Sequence, residues 1–182
     1  MHRRDAIKKT IILAGGIALT PDLLAKALGD PQPVLSTLPA DRLNLLAEMA
    51  DTIIPDTDTP GAKAAAVQEF IALTVESCFP PEKRTLFWQG LEDAERQCQT
   101  VYTRSFVDLE NAEREPFLQK LESDEAASAE PGFFTWLKQL TLHGYFTSET
   151  GATQALAYDP IPGVWIPDLL VDEDTKSWTP MF

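Results

Sequence analysis

Proline placement limits this chain more than any other sequence feature. Up to residue 157 the prolines mostly stand where helices begin or end: Pro39, Pro55, Pro60 and the pair Pro80-Pro81. From Tyr158 onward Pro160, Pro162, Pro167 and Pro180 crowd into a short stretch, and no long helix survives that density. Between the earlier prolines, apolar residues recur at helical spacing. A first helix is expected from about Pro39, capped by Ser36 or Thr37, with Leu43, Leu46, Ala47, Ala50 and Ile54 inward. Residues 56–61 read as a loop. Thr59 and Pro60 then read as cap and first position of a second helix carrying Val67, Phe70, Ile71, Thr74, Val75 and Cys78. A third helix, about Glu82 to Phe106, has Leu86, Phe87, Leu91, Ala94, Cys98, Val101 and Tyr102 as its apolar positions. A fourth starts at Asp108 or Asn111 and keeps Phe117, Leu118 and Leu121, with Pro116 blurring its start. Ser123 to Glu130 reads as a solvated loop. The fifth, about Gly132 to Phe146, is apolar on most sides and therefore expected to be buried. Ser148 caps a short turn that includes Ala155 and Leu156. With no repeat and no alternating strand pattern, the fold class is all-α. The expectation is a helical domain of about five helices over 39–157, preceded by a linker at 28–38 and followed by an extended Pro-rich arm at 158–182.

Residues 1–27 have the layout of an export signal. Arg3, Arg4, Lys8 and Lys9 form a basic start, Ile11 to Leu19 an apolar run, and Ala25-Lys26-Ala27 a small-residue cleavage site. The run is shorter than the roughly 20 residues that span a bilayer. Arg3-Arg4 followed by Asp5-Ala6-Ile7-Lys8 resembles the twin-arginine pattern, with His2 where Ser is usual. That pattern addresses the twin-arginine translocase, which carries folded proteins, so a periplasmic destination is expected. Acidic residues number 28 against 15 basic ones, a formal charge of -13. Such a chain repels the phosphate backbone, and nucleic acid is excluded as a partner. Removing residues 1–27 takes away more positive than negative charge and deepens the imbalance.

No motif for chemistry survives inspection. Two Cys and two His leave little for a metal or catalytic centre, and neither Cys lies in a Cys-x-x-Cys pattern. Cys98 falls roughly 25 Å along the third helix from the turn after Cys78, at 1.5 Å per residue, too far for a disulfide; two buried thiols are expected. Asp51, Asp56 and Asp58 hint at a calcium loop. Counting from Asp56, however, the fifth position is Pro60 and the twelfth Val67, so capping and turn chemistry explain them better. His143 reads as a partly buried structural histidine. Phosphate loops, dinucleotide fingerprints and nucleophile elbows are missing from the sequence. Catalytic, cofactor-binding and metal residues are thus none. Trp165 and Trp178 stand apart from the helical aromatics, because a Pro-rich arm cannot build its own core. Such residues either pack back on the helices or insert into a partner. With Ile166, Leu169 and Leu170 they form the candidate partner-binding set, together with the most apolar helix.

Three stretches in order carry a family likeness. They are Asp51-Thr52-Ile53-Ile54-Pro55-Asp56-Thr57-Asp58-Thr59-Pro60-Gly61-Ala62-Lys63, then Leu140-Thr141-Leu142-His143-Gly144-Tyr145-Phe146-Thr147-Ser148-Glu149, then Tyr158-Asp159-Pro160-Ile161-Pro162-Gly163. Behind a twin-arginine-like signal, this resembles the gluconate 2-dehydrogenase subunit 3 family. The resemblance implies a non-catalytic small subunit of a periplasmic complex. Its large subunit is a flavoprotein of the glucose–methanol–choline type that holds FAD and oxidises a sugar, sugar acid or alcohol. A cytochrome c subunit often accepts the electrons. The small subunit carries the signal and escorts the folded partner across the membrane. One departure stands out: family members often have a Cys after the Pro-Gly-x-Trp stretch, whereas here Trp165 is followed by Ile166-Pro167-Asp168. The alternative is a periplasmic helical interaction module unrelated to redox chemistry; an independent hydrolase built on Asp and His143 is the weakest reading.

Overall fold

The computed structural model describes residues 35, 38–126 and 130–159, and in the arm 161, 163, 168, 170, 172 and 175–179. The signal segment with Arg3 and Arg4, the caps Ser36 and Thr37, and Trp165, Ile166 and Leu169 lie outside the described residues. The chain divides into two units, Met1–Pro33 and Val34–Phe182, and everything below belongs to the second.

Among the described residues five α-helices form the body: α1 Ala40–Ile53, α2 Val67–Cys78, α3 Pro81–Tyr102, α4 Asn111–Ala126 and α5 Phe133–Thr147. A 3-10 turn, Phe106–Asp108, joins α3 to α4, and a π turn, Gly151–Ala155, follows α5. Among the described residues the only strand-like pairing is an isolated parallel bridge between Ala157 and Trp178. The all-α expectation agrees with this architecture. No described helix is long and apolar enough to cross a membrane.

The hub is α5, which touches each of the other four helices. Its Phe133, Phe134, Leu137, Thr141 and Tyr145 are buried, as its all-round apolarity implied. Around it close Leu46 and Met49 of α1, Ile71 and Val75 of α2, Phe87 and Leu91 of α3, and Phe117 and Leu121 of α4. Gly144 lets α5 lie directly on α2. A Cβ there would fall 2.6 Å from the Phe70 ring, so any larger residue would push the helices apart. Aromatic edges lock the α3–α5 contact, with the Phe87 and Phe133 rings 5.2 Å apart.

Several local expectations need correcting. Thr59 and Pro60 do not start α2. The chain turns through residues 62–66, and α2 begins only after Ala66, which adopts a left-handed φ of 53°. The third helix stops at Tyr102, four residues early, where Thr103 takes a left-handed φ of 57° and its N–H bonds back to the Gln99 carbonyl at 2.9 Å. Pro116 lies inside α4 rather than in its first turn. Its missing N–H would have met the Ala112 carbonyl. Both residues are exposed, so water can satisfy that oxygen. The stretch 123–130 is not all loop: α4 continues to Ala126, and Glu125 reaches α5. Leu86 and Val101 are exposed, while Trp88 is buried, because the buried stripe of α3 runs Phe87, Leu91, Ala94 and Cys98. Trp88 gives its indole N–H to Glu76 at 2.7 Å. Cys98 is buried as expected, but Cys78, the last residue of α2, is exposed; both are free thiols. His143 is exposed too, with its ring 5.7 Å from that of Phe70.

Candidate functional site

Of the three stretches that carry the family likeness, the first two are bonded to each other, and a π turn leads from the second to the third. The first folds back onto the end of α1. The Ala62 N–H donates to the Ile54 carbonyl at 2.9 Å, Gly61 N–H to Asp56 Oδ1 at 2.9 Å, and Lys63 N–H to Asp51 Oδ1 at 3.2 Å. Only glycine fits at 61, since a Cβ would come within 2.8 Å of backbone atoms of Ile54, Pro55 and Asp56. Asp58 accepts from the Thr57 hydroxyl at 2.9 Å, and this bond, with a further one from its own backbone N–H, holds its carboxyl below the usual range. All three acids therefore do turn and capping work. No metal-ligating cluster forms among the described residues.

The second stretch reaches the first through Tyr145, whose hydroxyl donates to the Pro60 carbonyl at 2.7 Å. The chain leaves it toward the third at Ser148. That hydroxyl oxygen accepts from the Gly151 N–H at 3.1 Å and opens the π turn, as the sequence suggested. The turn delivers Ala157 and Tyr158 to the base of the arm.

Sequence reasoning missed the anchor of this scaffold. Glu48 sits on the buried face of α1, pairs with Lys63, and meets Arg114 of α4 at 2.5 Å. Arg114 also donates to the carbonyls of Val107 at 2.7 Å and Leu109 at 3.0 Å, and lies over the Phe106 ring. The only local signal was an acid set among Leu45, Leu46 and Met49. Burial pushes the Glu48 carboxyl up, but the hydrogen bonds from Lys63 and Arg114 outweigh it and hold it below the ordinary range. Burial, helped by the nearby Glu95 charge, drives the Cys98 thiol up to about 11. One group is thus fixed as a carboxylate and the other as a thiol at neutral pH. A general acid or base needs the opposite, a pKa near the working pH.

A cleft of about 520 Å³ opens between α1, α3 and the 3-10 turn. Its wall carries Asp41, Glu92, Glu95 and Asp108 against Arg42, which is paired with Glu92. The carboxylates would repel the diphosphate of FAD, so this cleft does not suit the flavin implied for the complex.

Of the candidate partner-binding residues, Leu170 and Trp178 are both exposed. Trp178 is held by the backbone of its neighbours: Ala157 N–H donates to Ser177 O at 2.8 Å, and Thr179 N–H to Ala157 O at 2.9 Å. The most apolar helix, expected beside them in a docking surface, instead commits its large side chains to the core and turns Leu142 and His143 outward.

No curated protein and no solved structure matches the chain. A family model described as gluconate 2-dehydrogenase subunit 3 matches residues 40–163, all five helices and each of the three linked stretches included. A match over more than half of the residues settles membership: the chain belongs to the gluconate 2-dehydrogenase subunit 3 family.

Proposed function

We propose that this chain is the non-catalytic small subunit and export escort of a flavin-dependent dehydrogenase complex. The large subunit is of the glucose–methanol–choline type, binds FAD and oxidises a sugar, sugar acid or alcohol in the periplasm; a cytochrome c subunit takes the electrons. The family match over residues 40–163 carries the reading of an accessory subunit. Two further features support the finer parts. Arg3-Arg4 heads a basic and apolar segment suited to the twin-arginine translocase, a route for cargo already folded around its cofactor. The shifted groups among the described residues, Glu48, Asp58 and Cys98, are moved away from acid–base use.

The escort role is tested by changing Arg3 and Arg4 together to Lys. Charge is kept while the planar guanidinium fork is lost. Both this chain and the flavoprotein should then stay in the cytoplasm. Flavoprotein activity that reaches the periplasm at wild-type level in that strain would contradict the escort role.

A further inference from the structure

The arm returns to the body, but the large apolar side chains described in it stay exposed. Its base is fastened by main-chain bonds on either side of the Ala157–Trp178 bridge. The Thr179 hydroxyl adds a bond to Ala152 O at 2.6 Å, and the Lys176 amine one to Gln154 O at 2.8 Å. None of these bonds buries an arm side chain. Tyr158 stays 56% exposed, Ile161 82%, Leu170 91% and Trp178 58%. The other large apolar side chains exposed among the described residues, Leu86, Val101 and Leu142, are scattered over α3 and α5. Scattered ones are ordinary, whereas a concentration in one loop marks an interaction surface. Leu170 and Trp178 also lie beyond the residues that the family model matches.

The arm's charge narrows the occupant. Residues 158–182 carry Asp159, Asp168, Asp172, Glu173 and Asp174 against a single base, Lys176, whose amine is engaged with Gln154. A second copy would bring the same acidic arm on a chain of charge -13, and an anionic lipid surface would repel it likewise. We propose that Tyr158, Ile161, Leu170 and Trp178, the exposed large apolar residues described in the arm, form a docking surface. Its exposed aromatic and aliphatic side chains enter an apolar groove, rimmed by Lys and Arg, on the flavoprotein subunit. The inference rests on the accessory-subunit reading above. The apolar side chains supply affinity, and the carboxylates steer the encounter and select the basic rim.

The test is the dissociation constant between the full chain and its purified flavoprotein subunit, for wild type, Leu170→Ser and Trp178→Ala. Each substitution should weaken binding by about 10- to 30-fold, the range of an interface hot spot, with the melting temperature of the free chain unchanged. Raising NaCl from about 50 to about 500 mM should weaken the wild-type complex by about tenfold through screening. A wild-type complex that both variants match in affinity overturns the proposal. So does a lowered melting temperature that accounts for the weaker binding, or self-association of the wild type that the variants abolish. A wild-type chain that binds no flavoprotein at either salt concentration instead contradicts the accessory-subunit reading.

Discussion

Glu48 shows how much of this molecule depends on single side chains that join distant segments. Its carboxylate links α1 to Lys63 in the following loop and to Arg114, 66 residues away. Breaking a fully buried pair costs about 3–5 kcal/mol. Here the Glu48 and Arg114 side chains keep 12% and 11% exposure, and Arg114 would retain two carbonyl partners. Glu48→Gln should therefore destabilise by about 2–3 kcal/mol in urea unfolding. The pH dependence has a definite sign. The folded value lies below the ordinary 4.5, so the contribution is present in full above 4.5 and is lost as pH falls through the lowered folded value. The variant should flatten the acid side of the stability profile; an acid limb as steep as the wild type's would show that other carboxylates govern it. Nothing local in the sequence pairs residues 48 and 114, which is why the charge network was not legible while the apolar stripe around it was. His143 and Cys78 teach the same limit. Spacing places them on a helix, but only the neighbouring helix decides whether a position at its end or edge is covered.

At the scale of elements, helices were legible where a clean apolar stripe runs between prolines, as in α1 and α5. Their ends were less so. The Thr59-Pro60-Gly61 stretch looks like a helix start, yet Ala66 adopts a left-handed φ of 53°, which keeps α2 from starting before Val67. Likewise Glu125 looks like part of an acidic solvated run. It accepts from the Phe134 N–H at 2.6 Å and the Thr135 N–H at 2.9 Å, serving as the N-terminal cap of α5 from the end of α4. Its charge also suits the positive end of the helix. Glu125→Ala leaves two donors at that helix end without their acceptor and should cost about 1–2 kcal/mol, measured by thermal or urea unfolding. Glu125→Gln, which keeps an acceptor, should cost less. Equal stability of wild type and Glu125→Ala would mean that water replaces the cap without loss. Leu86 was misplaced for a geometric reason: it lies one residue, or about 100°, from Phe87 on the helix, outside the buried stripe.

For the whole molecule, the three linked stretches are structural. They brace α1 against α5 and set the base of the arm through Tyr145, Ser148 and the π turn. Leu170 and Trp178 were legible as unusual because a Pro-rich arm has no core of its own, and both remain exposed beside a fastened base. The central claim is that this chain is the accessory subunit of a flavin dehydrogenase. Its most direct test is co-purification of the C-terminally tagged chain from the native periplasmic fraction, read by mass and by absorbance. The account predicts a yellow complex with a second chain of flavoprotein size. A colourless, solitary small chain recovered at low salt would contradict it.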